Sequence, residues 1–192
     1  MVPLIWFFGI SPGVYEPIYP VFVVAEEPEL QQFVIAPDEV RGIVEPGAPV
    51  DENLRRYVLR QTRQRLHQPV FRATVLHAYG TRCAVCALRH AELLDAAHIV
   101  PDREEGGIAS VRNGLALCKI HHAAYDVSVL CIRPDLVVEI RADLLAEIDG
   151  PMLEHGLKAR HGQPLMVRPQ RRADRPDVEL LEQRYAAFRD AG

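Results

Sequence analysis

The chain has 192 residues, of which 48% are hydrophobic and 25% are charged, and its formal net charge is −4. These values are typical of a globular protein and exclude a disordered or collagen-like chain. No apolar run reaches the roughly 18 residues that a membrane helix needs. The length allows one domain of ordinary size, or one domain with a small appendage, and we expect no membrane partner.

Residues 1–40 have the pattern of short β-strands. Two runs rich in β-branched and aromatic residues, V-P-L-I-W-F-F-G and P-V-F-V-V, are separated by the turn-forming S-P-G-V-Y-E-P, and Gln32–Ile35 predicts a third strand. The apolar start is short and has neither a basic leader nor a small-residue cleavage site, so we interpret it as a buried strand. We predict a short β-rich segment over residues 1–50, and one interpretation of it is the remnant of a larger DNA-reading domain.

The other predicted domain, residues 51–192, begins with helical sequence. We expect a helix over residues 51–68, an interruption at Pro69, and a second helix over 70–79. Gly80 is expected to end the second helix, because glycine adopts the left-handed conformation that follows many helices.

Residues 81–127 predict a strand, a loop, a second strand and a helix that begins near His121. Beyond them, residues 131–140 predict a strand with a turn at residues 133–135 near its start, and residues 164–167 predict another strand. Residues 177–190 predict an amphipathic terminal helix. The resulting mixture of strands and helices predicts an α+β fold.

Arginine is concentrated in one stretch of the chain. Residues 53–91 contain eight arginines and no aspartate or glutamate, although the chain has 26 acidic residues. Clustered arginine is the electrostatic signature of phosphate binding, whereas a solvated helix face is the plainer explanation of scattered charges. Arg56, Arg60 and Arg63 have helical spacing and are expected on one helix face. The predicted contacts with DNA phosphates are Arg55, Arg56, Arg60, Arg63 and Arg65.

Two pairs of residues, Cys83/Cys86 and Cys118/His121, have the spacing of zinc knuckles. A two-residue spacer lets both ligands of a pair reach one tetrahedral ion. The alternatives are small buried cysteines without a metal, and His122 in place of His121. We predict a structural zinc ion, because a small, loop-rich region needs a metal to hold its shape. Metal ligation rather than disulfide pairing also predicts a cytoplasmic protein.

Three further polar residues, His98, Asn113 and His122, lie between or directly after the two pairs. Hydrolysis of a phosphodiester needs a base that activates water, a cation that stabilises negative charge, and a group that orients the base. An imidazole at His98 can act as a general base near neutral pH, and the Asn113 amide can hold a loop or orient that base. His122 and Asp126 share a helix face at i, i+4 and are candidate cation ligands, as is Asp95.

The order of the motifs C-A-V-C, D-A-A-H-I, N-G-L-A-L-C and H-H-A-A-Y-D resembles the HNH (ββα-metal) nuclease family. That family folds as a two-stranded hairpin and a helix around one divalent cation, often braced by zinc knuckles. The resemblance implies that His98 is the general base and that His122 binds the catalytic cation. It also implies that Asn113 fixes the geometry of the loop and of the histidine.

At one position the chain departs from a common form of the family, in which an Asp or His ligand directly precedes the first histidine. Ala97 occupies that position here, so that Asp95 or Asp126 would complete the cation shell. The segment that leads into Cys83, R-Q-R-L-H-Q-P-V-F-R-A-T-V-L-H-A-Y-G-T-R-C, resembles the helical lead-in of restriction-type HNH endonucleases.

We therefore predict a metal-dependent DNA endonuclease of a restriction or defence system, with an α+β fold and a zinc-braced ββα core over residues 81–127. Zn²⁺ is the predicted structural ion, Mg²⁺ or Mn²⁺ the catalytic ion, and DNA the partner, while a homodimer is left open. One alternative is a zinc-braced nucleic-acid-binding module without catalysis, and another is a nuclease of this fold that nicks RNA or acts in transposition. A pure binding module needs none of His98, Asn113 and His122, and their presence favours an enzyme.

Overall fold

The computed structural model describes residues 2–37, 52–102, 104 and 107–191. Their side chains are included except at residues 52–55, 57–59, 61–66 and 191. The chain divides into two compact units, residues 1–73 and 74–192. The domain boundary predicted between residues 50 and 51 stays a prediction.

Three antiparallel strands form the sheet of the first unit: β1 (Leu4–Ser11), β2 (Val14–Glu27) and β3 (Gln32–Pro37), in this spatial order. The prediction of three strands is confirmed. The turn before β2 is tighter than expected, because Ser11 already pairs with Val14 and β2 includes residues that were assigned to the turn. Gly13 allows this tight reversal with a φ of +77°, a conformation that favours glycine.

The core of this sheet is small and lies on β2 and β3. Phe22, Val24 and Ala36 are buried, and Val34 packs against them. No residue of β1 is buried, and Phe7 is 61% exposed. The expectation that the first strand is buried is therefore wrong. β1 is an edge strand, and its pairing with β2 supplies backbone hydrogen bonds without covering its side chains.

A single helix, α1 (Glu52–Ala78), crosses from the first unit into the second. The predicted interruption at Pro69 is wrong, because Pro69 lies inside this helix. Proline removes one hydrogen bond to the carbonyl four residues earlier, but its fixed φ of about −65° is compatible with helical backbone. The helix, which has 27 residues, therefore continues through Pro69 without that one backbone hydrogen bond.

The end of α1 follows the prediction for Gly80, which has a φ of +61°. The Gly80 N–H donates to the carbonyl of His77 at 3.0 Å, and the Thr81 N–H donates to that of Leu76 at 2.8 Å. These two bonds are those of a Schellman motif, which satisfies the last carbonyls of a helix.

The centre of the second unit consists of β4 (Leu94–His98), β5 (Gly114–Cys118) and α2 (Lys119–Asp126). β4 and β5 are antiparallel, with His98 opposite Gly114, and α2 follows β5 without a loop. All five residues of β5 are buried. The predicted order of strand, loop, strand and helix is confirmed, and with it the α+β fold.

Two further strands, β6 (Leu130–Ile132) and β7 (Val138–Ile140), form a second antiparallel pair. The turn predicted at residues 133–135 is confirmed, because the Leu136 N–H donates to the Arg133 carbonyl at 2.9 Å, and it divides the strand expected over residues 131–140 into these two. The strand expected at 164–167 is reduced to an isolated bridge between Pro164 and Val137.

Helices follow the strands of the second unit. They are α3 (Ala142–Ala146), a π-helical turn (Met152–Leu157) and α4 (Val178–Ala191), the last of which confirms the predicted terminal helix. Leu181 and Phe188 of α4 are buried. No helix within the described ranges is long and apolar enough to span a membrane.

Candidate active site and metal centre

The four predicted knuckle residues, Cys83, Cys86, Cys118 and His121, come together in the second unit. Their ligand atoms all lie within 4.8 Å of one another. The Cys118 Sγ is 3.0 Å from the His121 Nδ1, and the Cys83 Sγ is 3.5 Å from the same nitrogen. The Cys86 and Cys118 sulfurs are 4.0 Å apart. The structure places His121, and not His122, in this group, which could hold a metal ion.

These separations can be compared with those of a tetrahedral zinc site. Zn–S bonds of about 2.3 Å and Zn–N bonds of about 2.0 Å place neighbouring ligand atoms roughly 3.5–3.8 Å apart. The measured distances of 3.0–4.0 Å bracket that range. Three thiols and one imidazole are also a donor set that zinc prefers, so the residues fit the predicted ion.

Backbone hydrogen bonds hold the first knuckle in shape. The Ala87 N–H donates to the carbonyl of Cys83 at 2.9 Å, and the Cys83 N–H donates to that of Leu88 at 3.0 Å. The Ala84 N–H donates to the carbonyl of Ala116 in β5 at 2.7 Å, which joins this knuckle to the strand that leads into the second one. These backbone bonds join the first knuckle to β5, the strand that ends at Cys118 of the second knuckle.

The thiols and the imidazole shift one another's pKa values. Hydrogen bonding from the Cys83 and Cys86 thiols and from His121 lowers the pKa of the Cys118 thiol. Contacts with Cys118 and Cys86, together with burial, raise the pKa of the Cys83 thiol. Burial opposes a charge on His121, but its contacts with Cys118 and Cys86 outweigh burial and raise the pKa of the imidazole to about 9. A proton on His121 thus supplies, in the metal-free chain, part of the positive charge that a divalent cation would bring.

His98 occupies the last position of β4, and its side chain is 14% exposed. Its Nε2 lies 2.9 Å from the Oδ1 of Asp102, at ion-pair distance but without the alignment of a hydrogen bond. Sequence reasoning missed Asp102. The only signal for it was the i, i+4 spacing, which seldom brings side chains together outside a helix.

Asn113 is fully buried, and its side-chain amide makes three hydrogen bonds, all with backbone groups. Its Oδ1 accepts a hydrogen bond from the Val100 N–H at 2.9 Å, and its Nδ2 donates to the carbonyls of Val100 at 2.9 Å and Ile108 at 3.0 Å. Its own carbonyl accepts from the Ile99 N–H at 3.0 Å. Through Val100 and Ile108, Asn113 thereby holds both sides of the loop that follows His98.

His122 lies on α2 with a carboxylate near each ring nitrogen. Its Nδ1 is 3.9 Å from an oxygen of Asp95, and its Nε2 is 3.4 Å from an oxygen of Asp126. The two carboxylates therefore approach opposite sides of the ring. One ring nitrogen can join one ion, so Asp95 and Asp126 are alternative partners of His122 in this arrangement rather than joint ones.

Asp95 forms a salt bridge with the ammonium group of Lys119. Its Oδ2 accepts a hydrogen bond from Lys119 Nζ at 2.8 Å, and its Oδ1 accepts one from the Ala96 N–H at 3.1 Å. Burial raises the pKa of Asp95, but these bonds, led by that from Lys119, outweigh it and lower the pKa. Ala97, where the family often has a ligand, is fully buried in the hairpin. The Lys119 ammonium group thus favours the ionised form of Asp95, which lies near His122.

Two of the predicted phosphate contacts, Arg56 and Arg60, are exposed on α1. The side chains of the other three, Arg55, Arg63 and Arg65, lie outside the described residues. The expectation that these arginines contact DNA stays a prediction.

The comparison with protein families agrees with the geometry. Residues 83–133 match the family model described as HNH endonuclease. These residues form an HNH element. The match begins at the first knuckle, ends at residue 133 directly after β6, and spans His98, Asn113 and His122. The resemblance to HNH endonucleases is confirmed for this part of the chain.

Among solved structures, the chain is similar to one described as "Modification dependent TagI restriction endonuclease". The identity is 18%, the TM-score is 0.43, and the alignment covers 90% of this chain and 53% of that one, so the chain spans about half the length of that protein. The comparison with curated proteins found no match.

Proposed function

We propose that the protein is a metal-dependent DNA endonuclease that hydrolyses phosphodiester bonds. One observation carries this proposal: in the HNH element a buried Asn113 makes three side-chain hydrogen bonds to the loop that follows His98. A buried amide with three partners is a strong constraint on loop geometry. A module that only binds nucleic acid has no need for a histidine fixed in this way.

In this proposal His98 is the general base that takes a proton from the attacking water. We assign the proton transfer to Nδ1, because Nε2 faces Asp102. The carboxylate of Asp102 then stabilises the imidazolium that forms, as an acidic partner does for other catalytic histidines. Asn113 acts as a positioning residue that holds the loop.

His122, together with Asp95 or Asp126, would hold the catalytic cation. One nitrogen and one carboxylate leave most of the coordination sphere to water and phosphate oxygens, which suits Mg²⁺ or Mn²⁺. When bound, such a cation stabilises negative charge on the phosphate and on the leaving oxygen. Cys83, Cys86, Cys118 and His121 would hold a separate, structural Zn²⁺.

DNA is the proposed substrate, and a restriction or defence role is proposed from the restriction-type lead-in sequence before Cys83. The exposed Arg56 and Arg60 support phosphate binding along α1. Location in the cytoplasm and a homodimeric arrangement remain predictions of the same kind.

The proposal can be tested with purified protein and supercoiled plasmid. We expect nicking or linearisation when Mg²⁺ or Mn²⁺ is added and none in metal-free buffer, with base-modified and unmodified plasmids assayed side by side. His98→Ala should lower the rate on the order of a hundred- to ten-thousand-fold, the usual contribution of a general base, while folding and DNA binding persist. The exposed His90 gives a matched control, since His90→Ala removes an imidazole outside the site.

Retention of more than a tenth of the rate in His98→Ala would refute the assignment of the base. Binding of DNA by the wild type without cleavage of any plasmid under either cation would instead favour the non-catalytic binding module.

A further inference from the structure

The imidazole of His121 has a partner on each side of its ring. Its Nδ1 faces the sulfurs of Cys118 and Cys83, and its Nε2 lies 2.8 Å from the carbonyl oxygen of Gly156. A carbonyl oxygen only accepts hydrogen bonds, so the Nε2 must carry a proton. The Nδ1 is therefore the nitrogen left to bind a metal ion. A ligating histidine whose other N–H is held by a backbone carbonyl is a common arrangement at metal sites.

Gly156 belongs to the π-helical turn Met152–Leu157, which begins 26 residues after α2 ends. Short π-helical pieces are rare and often mark functional places. Within this turn only Leu153 is buried, and Met152 is 60% exposed. The turn therefore has little apolar burial of its own, and the contact with His121 connects it to the metal centre.

A second contact joins the same part of the chain to the other knuckle. The backbone N–H groups of Met166 and Val167 both lie within hydrogen-bonding distance of the Ala84 carbonyl, at 2.9 and 3.1 Å. Ala84 stands between the two cysteines of the first knuckle. Residues 156–167 thus touch the centre at one point on each knuckle, and both contacts use backbone groups that a sequence pattern does not reveal.

We propose that the metal centre organises the C-terminal segment 152–167 as well as the HNH hairpin, and that the Gly156 carbonyl is the positioning group that makes His121 ligate through Nδ1. This proposal rests on the metal centre proposed above and is independent of catalysis. In this arrangement His121 has two tasks: one ring nitrogen binds the ion and the other holds the π-helical turn against it.

His121→Cys separates the two tasks. Nδ1 is two bonds from Cβ, so ligation through it puts the ion at about the reach of a cysteine sulfur, and four thiolates are a good zinc set. The variant should therefore keep one zinc per chain and lose the donor to Gly156. We expect amide hydrogen exchange of residues 152–158 to become about tenfold faster, the size of one ordinary hydrogen bond, while β4 and β5 exchange as before.

A matched control changes a ligand on the other knuckle. Cys86→His exchanges one thiolate for an imidazole and leaves the contact between His121 and Gly156 intact, so residues 152–158 should exchange as in the wild type. Metal content is measured for every variant.

Unchanged exchange in zinc-loaded His121→Cys would overturn the proposal. If that variant does not hold zinc, the wild type decides the matter: ¹⁵N spectra of the zinc-loaded protein should show His121 with a metal-bound Nδ1 and a protonated Nε2, and the reverse would refute the proposal. A wild type that binds no metal would refute the metal centre itself, whereas loss of DNA cleavage alone would bear only on the proposed enzyme.

Discussion

The sheet of residues 4–37 and the pair formed by β4 and β5 are stabilised in different ways. The sheet of residues 4–37 has strands of 6 to 14 residues, a buried cluster formed by Phe22, Val24 and Ala36, and a first strand with no buried residue. β4 and β5 have only five residues each, yet β5 is completely buried. The hairpin is flanked by the hydrogen-bonded Asn113 and by the four residues that could hold a metal ion.

The difference shows where single side chains matter. A long antiparallel ladder distributes its stability over many backbone hydrogen bonds, and no single residue is decisive. A pair of five-residue strands has too few of these bonds to be stable alone. It depends on Asn113 and the four knuckle residues, so that changes there should have large and specific effects.

The largest expected effect follows from Cys118→Ser. A hydroxyl is a poor zinc ligand, and structural zinc contributes about 10–16 kcal/mol in small zinc domains, which is comparable to the whole stability of a domain. We expect loss of the metal and of the cooperative fold of residues 74–191, while amides of β2 and β3 keep their exchange protection. Elemental analysis and hydrogen exchange measure the two outcomes.

Cys131→Ser is the control for that experiment, because Cys131 is fully buried but outside the group of ligands. It should keep the metal and lose only about 1–3 kcal/mol through burial of a hydroxyl. One zinc per chain in Cys118→Ser would contradict the assigned ligand set.

Asn113→Ala should lower the free energy of unfolding by about 2–4 kcal/mol, because it leaves the Val100 N–H and two backbone carbonyls without their partner. Asn113→Asp keeps the acceptor for Val100 and loses both donations, so it distinguishes the two sides of the amide. Denaturant unfolding followed by circular dichroism gives the values. A loss below about 1 kcal/mol in the alanine variant would mean that the loop is held by other contacts.

Metal affinity should fall on acidification. In the metal-free chain the pKa of His121 is raised to about 9, so the imidazole holds a proton below that pH and must release it to bind a metal through Nδ1. Each proton released changes the affinity about tenfold per pH unit. Competition with a chelator of known affinity at pH 6.5 and 7.5 measures the change, and equal affinities at both values would show that no proton is displaced.

The smallest expected effect belongs to the first unit. Arg60→Ala should lower the magnitude of the slope of log K against log salt by about 0.9, the contribution of one phosphate contact, and weaken binding to all sequences alike. Titrations of wild type and variant on two unrelated duplexes test both parts. An unchanged slope rejects the phosphate contact, and a loss on one duplex alone rejects sequence-independent binding.

Local patterns in the sequence were sufficient for several features. The x₂ spacing of Cys83/Cys86 and Cys118/His121 restricts each pair to a knuckle, because two residues leave the chain few other ways to bring both ligands to one ion. Gly80 ended α1 as predicted, since the left-handed conformation it adopts is costly for other residues. The order of β4, β5 and α2 followed from alternating apolar runs and loops.

Other features depended on contacts between residues far apart in the chain, and only the tertiary structure decided them. Pro69 was compatible with either a break or a continuous helix, and the structure shows a continuous one. The exposure of the β1 side chains depends on what packs against the faces of the sheet, which the local sequence does not show. The contact of His121 with Gly156, 35 residues away, depends on where the chain returns after β7. Short-range spacing determines which residues share a knuckle or a turn, whereas long-range packing determines which backbone group faces each of them.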